Sequence, residues 1–96
     1  MDVRIQAIHF DASEKLVTFI NKKAERIARH YPALTAVDVT LKVVKPETAM
    51  NKQAIIKLTV PQEPELVADK TADSFEEAID LALEALDRQL EKRKDK

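Results

Sequence analysis

At 96 residues with 45% hydrophobic content, the chain has the size of one domain around a single modest core. Its 16 basic and 17 acidic residues leave a net charge of -1. That argues against a protein that coats nucleic acid by bulk charge, so any polyanion binding has to come from local segregation of charge. The absence of cysteine excludes a disulfide framework, a thiolate nucleophile and a cysteine-ligated metal, and the absence of glycine excludes glycine-rich phosphate loops. No apolar run approaches the ~20 residues of a membrane span, and no signal-peptide pattern opens the chain. A reducing cytoplasm is the simplest expected home.

Val3 to Phe10 reads as a strand, with Val3, Ile5 and Ala7 on one side and Arg4, Gln6 and Ile8 on the other. Its register is ambiguous, because Ile8 and Phe10 fall on the opposite parity from Val3 and Ile5. Asp11 to Ser13 supplies N-cap candidates for a helix running to Tyr31, where Pro32 stops it. Phe10 is placed to pack back onto that helix from ahead of its cap. Val37 to Lys45 alternates, with Val37, Val39, Leu41 and Val43 inward. Pro46 to Asn51 is polar enough for a hairpin loop, and Gln53 to Val60 repeats the alternation with Ala54, Ile56, Leu58 and Val60 inward. After the Pro61–Pro64 turn, Glu65 to Lys70 makes a short fourth strand. Asp73 or Ser74 then caps a last helix whose buried stripe is Phe75, Ala78, Ile79, Ala82, Leu83, Leu86 and Leu90. Ser74 with Glu77 fits a capping box. The expected order is β-α-β-β-β-α. This is an α+β fold in which a four-stranded mixed sheet carries two helices on one face. It forms one domain over 1–96, with a flexible basic tail at about 93–96.

At about 100° per residue, the two helices sort their charges differently. On the first, Leu16, Val17, Ile20, Ala24, Ile27, Ala28 and Tyr31 make a broad apolar arc. Lys15, Lys22, Arg26 and Arg29 line the opposite face, with Lys23 and His30 at its edge. On the last, Glu76, Asp80, Glu84, Asp87 and Glu91 form an acidic row, and Arg88 and Lys92 lie one turn apart at the flank. Side by side, the helices are expected to form a groove with basic walls, built from Lys22, Lys23, Arg26 and Arg29 against Arg88 and Lys92. Arginine's planar fork can hold a phosphate with two hydrogen bonds, and lysine adds a mobile point charge. Of the aromatics Phe10, Phe19, Tyr31 and Phe75, two or three belong to the core. Few remain for stacking on single-stranded bases, so recognition would rest on backbone and shape, as with structured RNA.

Nothing comparable points to catalysis. Ser13 and Ser74 are the only serines, and both are explained as helix caps. His9 and His30 are far apart, without an evident nucleophile beside either. His9 with Asp11 offers two metal ligands and no third. The acidic row reads as a solvated helix face.

The segment Asp73-Ser-Phe-Glu-Glu-Ala-Ile-Asp80, followed by Leu86-Asp-Arg-Gln-Leu-Glu-Lys-Arg-Lys-Asp-Lys96, resembles the end of the ribosome hibernation-promoting factor and ribosome-associated inhibitor family. The likeness continues upstream through Val3-Arg-Ile5, Asp11-Ala-Ser-Glu14, the Lys23…Arg26…Arg29 spacing and Val37-Asp-Val-Thr-Leu41. It covers essentially the whole chain, and Arg88-Gln-Leu-Glu-Lys92 is its most specific piece. The resemblance implies a β-α-β-β-β-α domain similar in layout to double-stranded-RNA-binding domains. It also implies residence on the small ribosomal subunit, in the channel that holds mRNA and the ends of the tRNAs. By position, it implies rRNA contacts at Lys22, Lys23, Arg26, Arg29, Arg88 and Lys92. Ending at Lys96, the chain looks like a short form, and the resemblance leaves room for a second, ribosome-dimerising factor as partner. Where the family pattern is more basic, one turn before the Arg-Gln-Leu segment, this chain has Glu84 and Ala85.

The expectation is therefore a non-enzymatic bacterial translation inhibitor acting in ribosome hibernation, with no cofactor, metal, membrane or small-molecule substrate. The rival is a protein-interaction module of the same architecture that docks through the acidic row of the last helix, with RNA irrelevant.

Overall fold

The computed structural model describes residues 1–45 and 49–94, with the backbone alone for 93 and 94. Two segments of clean alternation set the centre of the sheet. β2 (Ala36–Val43) buries Val37, Val39 and Leu41, and β3 (Lys52–Thr59) buries Ala54, Ile56 and Leu58. The register puts Val37 opposite Leu58, Val39 opposite Ile56 and Leu41 opposite Ala54, so the inward sets of both strands coincide. β1 (Asp2–Ala7) joins β2 in parallel and β4 (Leu66–Ala72) joins β3 antiparallel, giving the mixed order β1-β2-β3-β4.

α1 (Glu14–His30) and α2 (Phe75–Lys94) complete the order β-α-β-β-β-α. Leu16, Ile20, Ala24 and Ile27 of α1 share one hydrophobic core with the inward sheet residues and with Ala78, Ile79, Ala82, Leu86 and Leu90 of α2. Each helix starts on a serine. The Ser13 Oγ accepts from the Leu16 N–H at 3.1 Å, and the Ser74 Oγ accepts from the Glu77 N–H at 3.1 Å. Asp73, the other cap candidate, accepts the Met50 N–H at 2.7 Å instead and ties the β2–β3 connection to the start of α2. α1 closes at Tyr31, whose N–H reaches the Ile27 carbonyl before Pro32 ends the pattern.

Strand boundaries differ from the sequence expectation at several ends, β2 among them, which stops at Val43 rather than Lys45. The first strand ends at Ala7 rather than Phe10: Ile8 makes one further bond to the Leu41 carbonyl, and His9 then takes φ 64°. That left-handed residue reverses the parity. Phe10 turns back over the core, and its ring stacks on Phe75 at the start of α2, centroids 5.1 Å apart. The fourth strand runs on to Ala72, because Lys52 and Gln53 of β3 still find partners in Ala72 and Thr71. Of the expected hairpin loop, residues 46–48 lie outside the described residues, as do 95 and 96 of the basic tail.

Candidate nucleic-acid interface

The Ser13 cap fixes the phase of α1, and the core fixes which face points inward. Opposite the buried Leu16, Ile20, Ala24 and Ile27 stand Lys15, Lys22, Arg26 and Arg29, all exposed. Among the described residues Lys22, Arg26 and Arg29 carry no ion pair. The open face of the sheet is different, because its charges answer one another. Arg4 Nε meets Asp38 Oδ1 at 2.8 Å, Lys57 Nζ meets Glu65 Oε2 at 3.4 Å, and Gln53 Nε2 donates to Asp69 Oδ1 at 2.8 Å. A polyanion approaching the sheet meets balanced charge, whereas one approaching α1 meets a row of uncompensated cations.

The groove between the helices is not the basic-walled one expected. Lys23, Arg26 and His30 line one side, Asp80, Glu84 and Asp87 the other, with Ile27 and Leu83 between them. β1, β2 and β4 run in one direction and each helix returns against the strand before it, so α1 and α2 are parallel neighbours. Their pairing places Lys23 level with Asp80, where Lys23 Nζ lies 3.0 Å from Asp80 Oδ1 and 5.2 Å from the Phe19 ring centroid. Lys23 is thus turned sideways into the groove, away from the outward row.

Arg88 and Lys92 do not face α1. On α2 they sit about 80° and 120° round from Asp80, on the side away from Leu83 and the groove. They also lie beyond Asp87, the last α2 residue to line the groove opposite the end of α1. The six candidate residues therefore fall into three places: an outward row of Lys22, Arg26 and Arg29, a groove position at Lys23, and a separate exposed pair at Arg88 and Lys92. The acidic row runs between the first and the last. The Lys23–Asp80 pairing had no local signal in the sequence, since its partners belong to different helices and meet only when the sheet sets their spacing.

His9 is exposed on its turn. Among the described residues no group of three or more His, Cys, Asp or Glu could hold a metal ion, and no helix is long and apolar enough to cross a membrane.

Fold and site together define a small α+β domain, with two parallel helices on a four-stranded mixed sheet and one outward basic row. The family described as Sigma 54 modulation protein / S30EA ribosomal protein matches residues 3–96, and the chain belongs to that family. It is 33% identical over 96 residues to the ribosome hibernation promoting factor of Azotobacter vinelandii, covering the whole chain and 85% of that relative. It is 31% identical to the protein of the same name from Pseudomonas putida, covering the whole chain and 89% of that relative. Among solved structures, a ribosomal subunit interface protein from Coxiella burnetii superimposes with TM-score 0.87 at 22% identity over the full length of both chains. The N-terminal domain of Thermus thermophilus Protein Y does so with TM-score 0.79 at 17% identity, over 96% of this chain and 98% of that one. These two likenesses show a common fold.

Proposed function

We propose that this chain is a non-enzymatic hibernation factor that silences translation by occupying the mRNA and tRNA channel of the small ribosomal subunit. The observation that carries the reading is the outward row of Lys22, Arg26 and Arg29, exposed and without ion pairs among the described residues. It stands on a chain whose relatives bear the name ribosome hibernation promoting factor. A stiff helix holds these groups about one turn apart, a spacing suited to successive phosphates of a folded RNA backbone. Arg88 and Lys92 supply a second, separate contact to rRNA. The protein then works in the cytoplasm and has no substrate to turn over.

Co-sedimentation with ribosomal subunits and intact ribosomes across a salt series tests this reading. Binding to the small subunit should be stoichiometric, decline with salt, and be displaced by mRNA plus tRNA. The variant Arg26→Glu with Arg29→Glu should keep its fold, because both side chains are exposed. It should lose most of its affinity, and its log–log salt slope should flatten by roughly 1.4 to 1.8 for the two phosphates it no longer neutralises. Undiminished binding by this variant would overturn the α1 mechanism. If instead reversal of the acidic row Glu76, Asp80, Glu84, Asp87 and Glu91 abolishes binding, the acidic docking face is the functional one.

A further inference from the structure

We propose that the acidic wall of α2 is a specificity filter: Asp80 holds Lys23, and with Glu84 and Asp87 it bars RNA phosphates from the groove between the helices. This inference rests on the RNA-facing reading of α1 and deepens it. Three features of the groove point the same way. Lys23 is the α1 cation nearest α2, and its ammonium is already engaged by the Asp80 carboxylate at 3.0 Å and by the Phe19 ring. Arg26 lines the groove at its rim and is exposed, so it can meet a ligand from outside without that ligand entering between the helices. The opposing wall presents three carboxylates and, among the groove-lining residues, no cation. A phosphate entering there would displace Asp80 from Lys23 and lie beside Glu84 and Asp87. Like charges that close repel by an amount comparable to the attraction it would gain. On α1 the usable footprint is therefore restricted to the outer row. An RNA has to present phosphates to that row from above the groove, without entering between the helices. A rigid folded surface of matching shape can do so, while an arbitrary duplex that settles between the helices cannot.

The test removes the filter without touching the outer row. In the triple variant Asp80→Asn, Glu84→Gln, Asp87→Asn, all three positions are exposed, so thermal unfolding should match that of the unaltered protein. Binding is measured to a generic duplex RNA and, in parallel, to ribosomes, between 50 and 200 mM salt. The triple variant should bind the duplex more tightly, with a log–log salt slope steeper by about 0.7 to 0.9. The one additional phosphate that Lys23 then neutralises adds about a threefold fall in affinity across that range. The tightening on the duplex should exceed that on ribosomes. Lys23→Gln should leave duplex binding by the unaltered protein unchanged, yet cancel the tightening when added to the triple variant. No tightening on the duplex would overturn the filter, as would equal tightening on both ligands, or an equal loss from Lys23→Gln in both backgrounds. Failure of the ribosome reading shows separately, as an unaltered protein that does not co-sediment with ribosomes at low salt, and the duplex measurements still decide the role of the groove.

Discussion

α1 and α2 are built alike and charged oppositely. Both start on a serine whose hydroxyl accepts from the N–H three residues on, both run parallel on the same face of the sheet, and both feed one core. Yet α1 turns a basic row to solvent and α2 an acidic one. Because folding needs only the inward stripe, the outward face of each helix is left to take whatever charge its surroundings demand. The two helices thus share a start, a course and a core, and the plainest difference between them is the charge they offer a partner.

That equivalence can be broken at the core first. Ile20 of α1 and Leu86 of α2 are 2% and 0% exposed. Either one changed to Ala should destabilise the protein by roughly 2–5 kcal/mol, seen as a lower urea midpoint with an unchanged slope. If one variant lost far more than the other, the two helices would not be sharing the core evenly. A finer probe compares the caps. Ser13→Ala and Ser74→Ala should each cost about 1 kcal/mol in the same titration. A clearly smaller loss at Ser74 would mean that the Asp73 link to Met50, rather than the hydroxyl, anchors the start of α2.

Much of this was legible in the sequence, for reasons that can be named. The 3.6-residue stripe of α1 and the alternation of Val37, Val39 and Leu41 against Ala54, Ile56 and Leu58 are local patterns, and each projects directly onto burial. Ser13 and Pro32 marked the ends of α1 because their chemistry acts on adjacent backbone. The exit from β1 was illegible for the complementary reason. A left-handed residue is usually announced by glycine, and here His9, like Lys45, Met50 and Gln62, takes positive φ with a side chain attached. The acidic wall of the groove was also out of reach. Its three acids, Asp80, Glu84 and Asp87, could be read along α2, but which flank they turn to α1 depends on the strand order and on the parallel course of the two helices. The same dependence sends Arg88 and Lys92 away from the α1 row.

The position of β1 sets the order in which the molecule comes together and comes apart. It is an edge strand with no fully buried residue, paired only to β2, and its partners lie far along the chain: Arg4 meets Asp38 across 34 positions. The β2–β3–β4 meander closes through short connections, so its pairing forms early and at little cost in chain entropy, whereas β1 can dock only after α1 has bridged the gap. β1 should therefore be a late arrival in folding and an early departure in local opening. Its amide protons should exchange with solvent well ahead of those of Ile56 and Leu58 in β3.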